Sequence, residues 1–275
     1  MKNFVKKYPA VSMVVLSYAI GIGISILVIN GVLPESMFFL AATSGSIAGI
    51  TLTAIVAGKI GLRDLFGRIK IWRVSGRWWA FALFATLGVV ICGKIINAIL
   101  GLDPLDFSNI PQGLVMVVPI FLMQIITAGL GEELGWRGFL LPRMQGRYNA
   151  LVAGLIVGVL HGFWHTPMFF VEGLSPYQDM KELMGLIPAT IGYSLFFVAS
   201  WSILFTCLLN NTKGSLLLIF VCHASQAWWL SLWSYNNPES IFGLPIAMTI
   251  VAIVVVLIYG PKNLSKTNER FVIED

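Results

Sequence analysis

Eight apolar stretches fill most of the chain, at residues 10–33, 37–58, 78–100, 112–141, 150–171, 183–209, 215–235 and 241–259. Each approaches the roughly 20 residues that a helix needs to cross the hydrocarbon core of a bilayer. Inside lipid no water satisfies the main chain, so a continuous apolar run of this length folds as a helix that bonds its own N–H and C=O groups. The expected fold is therefore all-α: a polytopic bundle of about eight transmembrane spans. The connecting segments are too short to hold a soluble domain. The turn between the last two spans is marked by Asn236-Asn237-Pro238.

Composition and charge support this reading. Charged residues make up 11% of the chain, where a soluble domain carries roughly a quarter. A net charge of +5 could suggest nucleic acid, but the basic residues fall in a topological pattern. With the N-terminus in the cytoplasm and the spans alternating, 15 Lys and Arg residues lie on the cytoplasmic side and only Lys181 on the other. Lys94 and Arg137 lie within spans. Such asymmetry predicts an integral, multi-pass protein of a bacterial cell membrane with both termini cytoplasmic and no nucleic-acid partner. The first apolar run is longer than the core of a secretion signal and reads as a retained span. The basic stretch at residues 63–77, interleaved with Leu65, Phe66, Ile69, Ile71 and Trp72, reads as a cytoplasmic loop or as a segment lying on anionic headgroups. Cys92, Cys207 and Cys222 stand singly in apolar surroundings and define neither a disulfide framework nor a thiolate metal site. The chain is read as one membrane domain, residues 1–275, with the polar motifs in a core at 112–235 and accessory spans at 1–100.

Ionisable side chains near the middle of a span cost at least ~2.5–3.5 kcal/mol each on insertion scales, so those present point to function. The fourth span carries Glu132, Glu133 and Arg137, the fifth His161 and His165, and the seventh His223 with Gln226. Those are all the histidines of the protein. Counting 1.5 Å per residue from the flanking basic residues or span ends puts Glu132, His161 and His223 about 15–16 Å deep, and His165 about 22 Å. A shared site is thus geometrically open to them.

Spacing sorts their roles. Glu133 and Arg137 are four apart with the acid first, the favourable orientation for a pair on one helix face. Glu132 points about 100° away around the helix and is left available. His161 and His165 share a face with Gly154, Gly158 and Gly162, a small-residue stripe that admits a close neighbouring helix. Glu and His around a water suit hydrolysis, with Glu as general base and His as proton donor or oxyanion stabiliser. Glu132, His161, His165 and His223 are equally the residue types that hold a divalent metal such as Zn²⁺, although no HExxH motif is present. No Ser-His-Asp set is evident, since Asp103, Asp106 and Asp179 are expected in loops.

Taken in order, Glu132-Glu133-x-x-x-Arg137, then Trp164-His165-x-Pro167 one span on, then His223 two spans later, resemble the CPBP family. These are membrane proteases of the CAAX prenyl protease type 2 and bacteriocin-processing (Abi) kind. The resemblance spans roughly residues 112–235. It implies an intramembrane endopeptidase opening to the cytoplasmic side, in which Glu132 activates water with help from His165. Arg137 would order the pair Glu132 and Glu133, and His223 would stabilise the tetrahedral oxyanion. Both a metal-dependent and a metal-free, glutamate-dependent mechanism are compatible with it.

Two positions depart from the family pattern. His161 stands where an aromatic is frequent, and is open as a ligand, a proton relay or a tolerated replacement. Ala227 stands where Asn is common, four residues after His223; Gln226 lies on nearly the same face and can act as the donor instead. The expected catalytic set is Glu132, Glu133, Arg137, His165, His223 and Gln226. The partners are the bilayer and a peptide or membrane protein that enters from the membrane or the cytoplasmic side. Two other readings remain at this point. One is a non-proteolytic immunity or scaffold protein of the same fold. The other is a proton-coupled transporter, against which no repeat of the motif-bearing half appears in the first half.

Overall fold

The computed structural model describes residues 2–107, 118–171, 175–231, 233 and 235–273. Among them the chain is helical, with no strand. Seven helical segments are long and apolar enough to cross a membrane. The first three contain α1 (Pro9–Ile29), α2 (Ser44–Gly67) and α3 (Gly76–Ile99). The fourth is α4 (Val118–Arg147); the expected span begins at Gln112, outside the described residues. The others contain α5 (Ala150–Trp164), α7 (Leu186–Asn211) and α9 (Gly243–Tyr259). A short amphipathic helix, α6 (Ser175–Met184), precedes α7. The eighth apolar helix, α8 (Leu216–Leu230), has only 15 residues. The protein is an integral, multi-pass membrane protein of the all-α class.

Local chemistry sets the helix ends. Pro9 opens α1, where its missing N–H has no intrahelical partner to lose. Asn149 caps α5 by accepting from Val152 N at 2.9 Å. Ser215 caps α8 and donates to Ile71 O at 2.6 Å, tying the start of α8 to the segment before α3. Helix α2 runs well past residue 58, where its sequence signal stops, but not straight: Gly58 takes φ 61° and kinks it.

Small residues decide which helices meet. A Cβ on Gly158 would lie 2.5 Å from Ala199 Cα, and one on Gly162 2.5 Å from Ser194 Cα, so the expected glycine stripe of α5 receives α7. A Cβ on Gly49 would lie 2.6 Å from Gly135 Cα, which brings α2 against α4. Helix α8 is held to α3 by Ser225 Oγ donating to Ala82 O at 2.5 Å and Trp229 Nε1 donating to Leu83 O at 2.6 Å. Helix α7 is the most enclosed span. On α9, in contrast, Ile250, Ile253 and Leu257 are exposed, as a lipid-facing surface requires.

One reading of the connecting segments is corrected. Asp179 lies on α6 and not in a loop, because residues 175–184 carry a helical amphipathic pattern that hydropathy alone does not reveal. Arg68 is 4% exposed and donates to Gly138 O at 2.8 Å, so this residue of the basic stretch docks on α4. The ring of Phe271 lies 5.1 Å from that guanidinium. The tail carrying Phe271 is anchored by Gln145 Nε2 donating to Phe271 O at 2.9 Å and Asn210 Nδ2 donating to Asn263 O at 2.8 Å.

Candidate active site

The acid pair sits on one short α-helical turn, Gly131–Gly135, between two π-helical turns at Ile125–Leu130 and Trp136–Leu140. Wide turns of this kind re-aim side chains and recur at functional sites. Glu133 is fully buried and Arg137 is 1% exposed. Arg137 Nη1 donates to Glu133 Oε1 at 3.0 Å, the pairing expected from their spacing. The same oxygen accepts from His223 Nδ1 at 2.7 Å, which joins α8 to α4.

Glu132 has a different partner. His161, 3% exposed on α5, places Nε2 at 2.9 Å from Glu132 Oε2 and Nδ1 at 3.0 Å from Arg137 Nη1. Its ring stacks on Trp136 at 4.6 Å between centroids.

His165 is not inside an α-helix. It is the C-cap of α5, and a 3₁₀ turn, Thr166–Phe170, follows. Pro167 cannot continue the helix, so the chain tightens there. The imidazole faces back, and its Nδ1–H donates to His161 O at 2.8 Å. A carbonyl only accepts, so Nε2 is the nitrogen left for a molecule beside it.

These groups converge. A cavity of about 340 Å³ is lined by Glu132, His161, His165, His223, Gln226 and Ala227, and by apolar side chains including Met168, Met180, Phe197 and Leu230. Glu133 and Arg137 hold the set from behind. Gln226 is 9% exposed, and its buried Oε1 has no hydrogen-bond partner among the described residues. Glu132 and His165 also line a second cavity of about 230 Å³, toward Gly21, Ser25 and Phe39. They therefore stand between two spaces.

Sequence reasoning missed Tyr177 and Tyr193, which also line the first cavity. Their hydroxyls lie 2.9 Å apart, and the Tyr193 ring meets His165 edge-on at 5.8 Å. Burial pushes the Tyr177 hydroxyl up to about 12, so it stays a neutral donor. Nothing in the sequence singles these two tyrosines out from the other aromatics of the chain.

The donor atoms suit a divalent metal in part. Glu132, His161 and His165 bring ligand-type atoms within 4.8 Å of one another, and so do Glu132, Glu133 and His223. Of the histidines, His161 has both nitrogens engaged by neighbours.

Residues 114–229 match the family described as type II CAAX prenyl endopeptidase Rce1-like. Over 109 residues the chain is 28% identical to the CAAX prenyl protease 2 of Methanococcus maripaludis. That alignment covers 38% of this chain and 37% of the relative, so the likeness spans little more than a third of the relative's length. The matched segment contains Glu132, Glu133, Arg137, His165 and His223, and over that segment the chain is similar to the CPBP family.

Proposed function

We propose that the protein is an intramembrane endopeptidase that hydrolyses a peptide bond of a membrane-associated protein or peptide. One observation carries this reading: Glu132, His165, His223 and Gln226 line one largely apolar cavity within the bundle. A carboxylate there with no guanidinium bonded to it is a base with room for a water beside it.

In this mechanism Glu132 takes a proton from water, and His165 orients that water through Nε2. The hydroxide adds to the scissile carbonyl carbon. The oxygen that gains charge receives hydrogen bonds from His223 and from the Gln226 amide. Collapse of the tetrahedral adduct breaks the C–N bond, and the proton held by Glu132 passes to the leaving amine. Glu133 and Arg137 position the set. A divalent ion such as Zn²⁺, when bound, would be held by Glu132 with His165 and would acidify the water.

The relative named a CAAX prenyl protease 2 supports a prenylated C-terminal peptide as the first substrate to try. Peptide precursors and membrane regulators form the wider class. We place the protein in a bacterial cell membrane with both termini cytoplasmic; the distribution of Lys and Arg supports that orientation.

The test uses purified full-length protein in lipid nanodiscs with an internally quenched peptide. The peptide ends in farnesylated Cys-aliphatic-aliphatic-X, and an unprenylated twin is run beside it. Cleavage is expected with wild type and lost in Glu132→Gln and in His165→Ala, each with an unchanged unfolding temperature. Wild-type rates in both variants would overturn the assignment.

A further inference from the structure

We propose that His161 is a positioning residue that clamps Glu132 to the Arg137–Glu133 pair and is not a metal ligand. The inference rests on the reading of Glu132 as the base. It starts from donor arithmetic. A guanidinium offers only donors, and Arg137 Nη1 lies 3.0 Å from His161 Nδ1. That nitrogen must therefore present its lone pair. The ring carries its proton on Nε2, and Nε2–H donates to Glu132 Oε2 at 2.9 Å.

The two other histidines take the opposite form. His165 Nδ1 faces a carbonyl and His223 Nδ1 faces a carboxylate, both acceptors, so each carries its proton on Nδ1. Their Nε2 atoms remain for chemistry: on His165 as a lone pair that accepts from the water, and on His223, whose Nδ1–H is held by the Glu133 carboxylate, as the position that takes a second proton when it donates to the oxyanion. His161 has none to spare: one nitrogen accepts from Arg137 and the other donates to Glu132. Its main-chain oxygen, in turn, receives the proton of His165 Nδ1. A single residue thus orients both groups proposed to handle the water, one through its side chain and one through its backbone. Trp136, stacked on the ring at 4.6 Å, holds its plane.

Three variants separate the contacts. Phe at this position keeps the stacking on Trp136 and removes both polar contacts. Gln places an amide N–H close to where Nε2 donates, while the shorter Asn reaches only the Nδ1 position, where its amide oxygen accepts from Arg137. His161→Phe is expected to lower kcat about 10- to 100-fold with KM within about twofold, the effect of losing a hydrogen bond to a charged group. His161→Gln should recover most of that loss and His161→Asn should not. Wild-type kcat in His161→Phe, with Glu132→Gln inactive, overturns this inference and leaves the protease reading standing.

A second measurement needs no turnover. In ¹⁵N-histidine spectra, the resonance pair missing from His161→Phe should be a neutral ring protonated at Nε2. The two pairs that remain should be protonated at Nδ1. A missing pair of the Nδ1–H form, or of a doubly protonated ring, refutes the clamp even if no peptide is ever cut. After incubation with Zn²⁺ alone, His161→Phe should retain as much metal as wild type, and a lower content would make His161 a ligand.

Discussion

His223 donates to Glu133 Oε1 at 2.7 Å although 90 residues separate the two in sequence. The bond is the point at which the shortest apolar helix, α8, engages the acid-bearing turn of α4. Arg137 shares the same oxygen. Removing Glu133 would strand a guanidinium that is 1% exposed. Glu133→Ala is therefore expected to lower folding stability by about 3–5 kcal/mol, the usual result of breaking one side of a buried ion pair. Glu133→Gln, which keeps an acceptor oxygen, should lose less. Chemical denaturation in bicelles measures both, and a Glu133→Ala protein as stable as wild type would contradict the pairing.

Gln226 lies one residue before Ala227, the position where the family resemblance leads one to expect Asn, and both side chains line the same cavity. If the Gln226 amide supplies the oxyanion contact, Gln226→Ala lowers kcat about 100-fold or more with little change in KM. Adding Ala227→Asn to that variant should then restore part of the rate. Steady-state kinetics on the quenched peptide decides the point. Undiminished kcat in Gln226→Ala would move the oxyanion contact elsewhere in the cavity.

The glycine stripe of α5 makes a prediction about packing. At Gly158 an added methyl would meet Ala199 Cα at 2.5 Å, which is main chain and cannot step aside. Gly158→Ala should destabilise by about 1–3 kcal/mol through overpacking. Gly88, on α3, has open space around it. Gly88→Ala should be neutral or stabilising by up to about 1 kcal/mol, the gain in helix propensity. Equal losses at both positions would mean that close approach does not govern α5.

Asp103, between α3 and the described part of α4, accepts from Asn236 N at 3.0 and 3.2 Å. Burial acts to raise its carboxyl, but hydrogen bonds from Ser240, Asn236 and Asn237 outweigh it and hold the group below its ordinary value. A carboxyl lowered on folding adds stability above its unfolded value, and that stability is lost as the pH falls through the folded one. The difference in unfolding temperature between wild type and Asp103→Asn should thus be widest near neutral pH and close as the buffer approaches pH 3. A gap that widens on acidification would be incompatible with these bonds.

Hydropathy made most of the spans legible, because a lipid-crossing helix needs length and little else. The glycine stripe was legible for the same reason: its spacing is the contact itself. Other features left no such trace. The π-helical turns on either side of the Glu132 turn follow no periodicity that the sequence displays. The end of α5 at Trp164 was hidden inside an apolar run, with only Pro167 to mark it. The bond between His223 and Glu133 joins two spans whose relative rotation no local pattern records. His161 had several readings on spacing alone, and only the position of the Arg137 guanidinium distinguishes its two nitrogens.

Helix α8 has 15 residues, so at 1.5 Å per residue it is about 22 Å long, against a hydrocarbon core of about 30 Å. Most of its side chains are buried among neighbouring helices, so protein, not thinned lipid, makes up the shortfall. His223 sits midway along this helix, about 11 Å from either end. If His223 serves the proposed hydrolysis, it does so about 11 Å from either end of α8, against about 15 Å at the middle of a helix that spans the full core.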